Sequence, residues 1–199
     1  MTTQLNPAID TSVRERSALD LAVDLAMVIG PILVFASTVA WVADQEGARA
    51  VLQIWGLIGL GIVLAGLAHR LRLTAPFGAA ALLVLGLAGT SVGVAYGLEI
   101  AMVDYFGVER LNEQEVMTAH LGLQLPGLMF PLSLLVTAVL GQRHGLFGMP
   151  AAVLLGVAAV AFPASRVPAE AGIALVADGL LLAALVPVGL ASLRATRGA

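Results

Sequence analysis

Asp178 is the residue whose position most strongly suggests chemistry, because it is a carboxylate inside a long apolar run. The run, IALVADGLLLAALVPVGLASL, extends from Ile173 to Leu193 and contains no other charged residue. A charge at the centre of a bilayer costs about 2.5 to 3.5 kcal/mol on insertion scales, so acids at such positions face protein or water and not lipid. A carboxyl group placed there can carry a proton, bind a cation or bind a small polar solute.

A layer of polar side chains is predicted at the depth of Asp178, about 12 Å below the outer surface if its helix begins near Glu170. No arginine is expected at this depth. Pro126 adds a backbone acceptor, because it cannot donate to the carbonyl of Gly122. The predicted proton or substrate pathway consists of Asp178, Gln124, Thr90, Ser91, Ser37, Thr38 and, nearer the surface, His120. The same layer also has a purely structural interpretation, since paired polar groups hold membrane helices together.

Neither a nucleophile nor a cofactor site is predicted. The stretch GTSVG, Gly89 to Gly93, matches the G-x-S-x-G pattern of serine hydrolases, but that pattern requires a strand-to-helix turn and here lies inside an apolar helix. His69 and His144 are expected at the inner interface and His120 near the outer one, so no two histidines share a depth inside the bilayer as paired haem ligands would, and the chain contains no cysteine. We therefore expect no cofactor, no metal ion and no catalytic residue.

Two further spacings predict local structure. Gly89, Gly93 and Gly97 repeat every four residues, which indicates a face of small residues that contacts a neighbouring helix. Asp20 and Asp24 are also four residues apart and fall at the start of the first helix. The helix dipole favours negative charge there and water is close, so we interpret these acids as capping and interface residues. A proton-relaying carboxylate pair is the alternative.

The elements that must position these residues follow from composition. Hydrophobic residues make up 59% of the chain and charged residues 12%, whereas about 25% of a soluble domain is charged. Apolar runs of about 20 residues span a bilayer as helices, and no alternation indicates a barrel. The predicted fold is all-α, a polytopic membrane bundle of six transmembrane helices within residues 20–193. The helices are expected at residues 20–43, 50–68, 76–98, 119–140, 146–163 and 170–193, after a polar segment at 1–19 and before a tail at 194–199.

The distribution of arginine predicts the orientation. Seven arginines fall on the side that holds both termini and three on the other side. Because cytoplasmic loops are rich in basic residues, both termini are predicted to be cytoplasmic and segment 99–118 to lie outside. All ten cationic residues are arginine, and Ala, Gly, Leu and Val dominate, which is typical of GC-rich bacteria. The predicted location is therefore the cytoplasmic membrane of a bacterium.

One stretch resembles a known family. The residues EVMTAHLGLQLPGLMFPLSLLVTAVLG, Glu115 to Gly141, are similar to a span of the YndJ-like membrane proteins, in which a Thr-Ala-His run leads into a helix with Gly, Phe and Pro. The His-x-His associated with that family is not matched, because Leu121 and Gly122 follow His120. The resemblance implies a multi-pass membrane protein and no particular activity.

The function favoured by these residues is transport. The chain is predicted to be a small proton-, ion- or solute-transporting protein that uses the polar layer around Asp178, and an enzyme is disfavoured. The alternative is a non-catalytic structural or accessory subunit of a membrane complex. The expected partners are the lipid bilayer and either other membrane proteins or a second copy of the chain. Nucleic acid is excluded, because the net charge is -3 and no basic face is present.

Overall fold

A computed structural model of the chain describes residues 17–107, 125–166 and 168–195, and within these ranges its regular secondary structure is entirely helical. Six helices are long and apolar enough to cross a membrane. The predicted all-α class with six such helices is thus confirmed, and the architecture is compatible with a multi-pass membrane protein. The helices are α1 (Ala18–Val42), α2 (Glu46–Leu71), α3 (Pro76–Phe106), α4 (Leu125–Arg143), α5 (Met149–Arg166) and α6 (Ala171–Ala195).

The helices extend beyond the apolar runs that predict them. α3 continues to Phe106, past the expected end at residue 98, and α5 continues through Pro163 to Arg166, past the expected end at 163. A turn at Leu128 separates the first three residues of α4 from the remainder. Hydropathy locates the part of a helix that lies in lipid, whereas the helix itself ends where its backbone hydrogen bonds end. The longer α5 is the difference that matters for the site.

The helices form a closed ring in sequence order. Each helix packs on the next, and α6 packs on α1 as well as on α5, which closes the bundle. Leucine, valine and alanine side chains from all six helices fill the centre, among them Leu82, Leu155 and Leu181. Large apolar side chains such as Trp55, Phe77 and Val160 point outward and are exposed. An apolar outer surface of this kind is suited to contact with lipid.

The predicted glycine face of α3 contacts its neighbours. A methyl group at Gly89 would overlap the backbone of Phe130 on α4, and one at Gly93 would overlap the side chain of Leu57 on α2. At Gly97 it would lie 2.7 Å from Cγ1 of Ile54. Glycine therefore permits close approach of α3 to both α2 and α4, as the four-residue spacing indicates.

Candidate functional site

Asp178 forms a buried polar cluster with residues from two other helices. Its side chain is fully buried on α6, and Nη2 of Arg166 on α5 donates to its Oδ2 at 2.7 Å. The hydroxyl of Thr38 on α1 donates to the same oxygen. Nη2 of Arg166 also lies 3.2 Å from the hydroxyl oxygen of Thr38. The cluster therefore joins α1, α5 and α6 through one carboxylate oxygen.

The expectation that no arginine reaches Asp178 is wrong. Arg166 falls in the sequence just after the apolar part of α5, which suggests a loop position. The helix continues through Pro163 instead, and Arg166 is its last residue. The aliphatic part of an arginine side chain can lie along an apolar surface for several ångströms. Here it carries the guanidinium group of Arg166 into the bundle as far as Asp178.

The second oxygen of Asp178 has a different environment. Oδ1 is buried and has no hydrogen-bond partner among the described residues. Leaving a buried acceptor unpaired costs about 1 to 3 kcal/mol, so binding of a proton or of a hydrogen-bond donor at Oδ1 is favoured. Chemically, a carboxyl group held by Oδ2 alone can accept a proton or donate one without losing its position.

The other residues of the predicted layer are dispersed. Ser37 is buried, but Thr90, also buried, donates to the carbonyl of Gly86 in its own helix at 2.7 Å. Ser91 is exposed on the outside of α3. His120 and Gln124 lie outside the described residues. The structure thus brings Thr38 to Asp178, and it does not bring Thr90 or Ser91 there.

A cavity of about 250 Å³ lies at the same end of the bundle as Arg166. Residues of α1 to α5 and of the α5–α6 turn line it, and most of its wall is apolar, including Val34, Leu57 and Phe130. Among the residues that the structure describes, the polar and charged side chains on the wall are Ser37, Arg49, Gln53, Tyr96, Glu99 and Arg166. Arg166 therefore belongs both to the cavity wall and to the ion pair with Asp178.

Two arginines share one aromatic ring at this cavity. The guanidinium carbon of Arg49 lies 4.4 Å from the centre of the Trp41 ring, and that of Arg166 lies 5.6 Å from it. Arg166 also lies 5.1 Å from the ring centre of Phe162. Nη1 of Arg49 forms an ion pair with Glu46 at 3.0 Å. Cation–π attraction and the two carboxylates together allow like charges to lie close to each other.

A second buried ion pair occupies the opposite end of the bundle. Asp24 is fully buried, and its Oδ1 accepts from Nη2 of Arg70 on α2 at 3.1 Å. Its Oδ2 accepts from the hydroxyl of Ser192 on α6 at 2.9 Å. Asp20 also pairs with Arg70, at 3.2 Å, and the hydroxyl of Ser17 accepts from the Asp20 backbone amide as the helix cap. Asp20 thus lies beside the cap of α1, as the capping interpretation predicts, whereas Asp24 is part of the helix packing.

The two clusters lie on one seam between antiparallel helices. Thr38 and Asp178 meet at one end of the α1–α6 contact, and Asp24 and Ser192 meet at the other. The clusters are about 14 residues apart on each helix, or roughly 21 Å at 1.5 Å per residue. Between them the helices approach closely, because a methyl group at Gly189 would lie 2.9 Å from Cβ of Met27.

Arginine is the component of the site that sequence reasoning misses. Arg49, Arg70 and Arg166 all fall near the ends of apolar runs, where arginine is ordinarily interpreted as an interfacial residue. One signal is present in the sequence, since Phe162 and Arg166 are four residues apart and such residues share a helix face. Among the described residues, no group of three or more His, Asp or Glu residues could hold a metal ion.

Comparison of the chain with protein-family models, with curated proteins and with solved structures finds no match.

Proposed function

We propose that the chain is a multi-pass protein of a bacterial cytoplasmic membrane that moves a proton, ion or small polar solute through the site around Asp178. The observation that carries this proposal is the double role of Arg166, which lines the cavity and also pairs with the buried Asp178. A solute in the cavity and Asp178 would share one guanidinium. Binding in the cavity and the charge of Asp178 would therefore be linked.

Exchange of partners at Arg166 supplies a transport step. A proton on Asp178 removes the negative charge that offsets Arg166, so that the guanidinium attracts a solute in the cavity more strongly. Loss of the proton restores the ion pair and displaces the solute. Oδ1 is the oxygen available for that proton, since Oδ2 already accepts from both Arg166 and Thr38. Pro163, inside α5, weakens the helix one turn before Arg166 and provides a point at which it can bend.

The orientation of the site is part of the proposal. The arginine distribution favours both termini in the cytoplasm, and in that orientation the cavity would open toward the outside of the cell. In that orientation the pair of Asp24 and Arg70 lies at the cytoplasmic end.

A structural or accessory role is the second candidate, and a specific observation favours it. Asp178 bonds to Thr38 and Asp24 bonds to Ser192, so each buried acid ties α1 to α6 where the ring of helices closes. Polar pairs in membranes contribute about 0.6 kcal/mol on average and up to roughly 2 kcal/mol. This arrangement would fix the order of helices without any transport.

Proton flux into vesicles separates the two candidates. Purified protein is reconstituted into liposomes that contain a pH-sensitive dye, and an imposed pH gradient drives uptake. Asp178→Asn should abolish the flux while the protein stays folded, because the amide retains the shape of the carboxyl group but does not titrate. Asp44→Asn is the matched control, since Asp44 is an exposed acid in the α1–α2 turn. Wild-type vesicles no more permeable than empty ones, or unchanged flux in Asp178→Asn, would contradict the proposal and favour the structural role.

A further inference from the structure

We infer that the cavity at the Arg166 end is a binding site for a small organic anion, with a carboxylate or phosphate group on an apolar body. The inference rests on the proposed function, for which it names the substrate class. The charges on the wall, the remaining hydrogen-bond donors of the arginines and the apolar part of the wall all fit such a ligand.

The charged side chains on the cavity wall favour an anionic ligand. Arg49 and Arg166 both line the cavity, and among the lining residues that the structure describes the carboxylate is Glu99. The partners of the two arginines, Glu46 and Asp178, are not part of the wall. Two positive charges and one negative charge therefore give the described wall a net charge of +1, and the carboxylates that pair with the arginines lie outside the wall.

The two arginines retain hydrogen-bond donors that a ligand can use. To the described residues, Arg166 donates through Nη2 and Arg49 through Nη1. Each guanidinium has five N–H groups, so donors remain on both, and their planar fork fits carboxylate and phosphate oxygens in pairs. The contacts with Trp41 at 4.4 and 5.6 Å fix both groups beside one ring before a ligand arrives. Because the two arginine side chains are already ordered, they lose less conformational entropy when a ligand binds.

The apolar remainder of the wall selects the body of the ligand. Val34, Leu57, Val92, Leu128 and Phe130 line the cavity together with Phe162. A volume of about 250 Å³ is slightly smaller than that of typical ligand pockets, which begin at roughly 300 Å³. The cavity therefore suits a small aromatic or aliphatic acid, or the phosphate and glycerol part of an anionic lipid.

A cationic ligand is disfavoured by the same geometry. The ring of Trp41, which would otherwise attract a cation, is already in contact with two guanidinium groups. A third positive charge in the cavity would be repelled by both, and a low local dielectric strengthens that repulsion.

Tryptophan fluorescence gives a direct binding assay, because the chain contains two tryptophans and one of them lines the cavity. Trp55 is 61% exposed on the outside of α2, so Trp55→Phe leaves Trp41 as the reporter. This variant, in a neutral detergent, is titrated with benzoate and phenyl phosphate, and with benzyl alcohol and benzylammonium as neutral and cationic controls. We expect saturable changes with the two anions, and at least about tenfold weaker binding of the alcohol and the amine, as loss of one charge-assisted contact implies.

Substitutions of the arginines test the source of the affinity. In the Trp55→Phe background, Arg49→Gln should weaken benzoate binding about tenfold or more, as should the double variant Arg166→Gln with Asp178→Asn. The double variant removes the ion pair as a unit, so that no unpaired acid remains to unfold the protein. Arg72→Gln is the control, since Arg72 is an exposed arginine at the opposite end of the bundle and should bind benzoate as the parent does.

Lipid and free solute are distinguished in nanodiscs. If the ligand is a lipid headgroup, phosphatidylglycerol nanodiscs should change the Trp41 emission relative to phosphatidylcholine nanodiscs and should block benzoate. If it is a free anion, benzoate should bind equally in both. Equal binding of benzyl alcohol, or unchanged benzoate binding in both arginine variants, would overturn the inference. Anion binding without flux would contradict only the proposed transport, and flux that depends on Asp178 without anion binding would contradict only this inference.

Discussion

Removal of either partner of the Arg166–Asp178 pair should destabilise the bundle, and removal of both should cost less than the two single changes together. Asp178 is fully buried, whereas the Arg166 side chain is 23% exposed. Arg166→Gln leaves a buried acid with Thr38 as its remaining partner, and breaking a buried pair in this way costs about 3 to 5 kcal/mol. Asp178→Asn should cost less, about 1 to 2 kcal/mol, because Arg166 can turn toward water and the amide still accepts a hydrogen bond.

The double variant, Arg166→Gln with Asp178→Asn, should cost about as much as Asp178→Asn alone, since no charge is then left buried. The coupling energy between the two positions is accordingly about 3 to 5 kcal/mol, the cost of Arg166→Gln alone. The assay is equilibrium unfolding in mixed neutral detergent and dodecyl sulfate, followed by circular dichroism. The pair Asp44→Asn and Arg166→Gln is the control cycle, and its two changes should be additive. Additivity within about 0.5 kcal/mol at Asp178 and Arg166 would show that the ion pair contributes nothing specific to the fold.

Two further predictions concern packing and orientation. Gly89→Ala should destabilise by about 1 to 3 kcal/mol, because its methyl group would overlap the Phe130 backbone, whereas Gly156→Ala, which has open space at its Cβ, should be neutral or stabilising by up to about 1 kcal/mol. The same unfolding assay measures both, and equal costs would mean that α3 and α4 can separate freely. Reporter fusions after Arg194 and at Gln142 should read cytoplasmic, and a fusion at Asn112 external; an external reading after Arg194 would reverse the orientation of the site.

The number of helices and the glycine contacts can be predicted from the sequence, because lipid imposes both. A bilayer requires about 20 apolar residues per crossing, and close approach of helices requires small side chains at every fourth residue. Gly93 and Gly97 follow this rule and contact α2. Both constraints apply to each helix separately, so they can be recognised in the sequence without knowing which helices pack against it.

The composition of the polar site cannot be predicted in the same way, because the depth of a residue along its helix does not determine the direction in which its side chain points. Counting residues from a helix end places Thr38, Thr90 and Ser91 at the height of Asp178, but Thr90 bonds within its own helix and Ser91 faces outward. In a surface helix of a soluble protein, the polar residues face water and therefore identify the opposite side as the buried one. Here lipid is as apolar as the core, so the periodicity that normally gives the inward face is absent. Arg166 is missed for a related reason, since a flexible side chain at a helix end can point either to water or inward.

The distribution of buried polar contacts indicates which helix can move if the cavity opens. α1 and α6 are joined at both ends, by Thr38 with Asp178 and by Asp24 with Ser192, and they approach closely at Gly189. Separating them would break both clusters at once. α5 is attached to this seam through the side chain of Arg166, and Pro163 lies one turn earlier. A bend at Pro163 would release the ion pair and leave the α1–α6 seam intact, so motion of the end of α5 would open the cavity wall at Arg166 without separating α1 from α6.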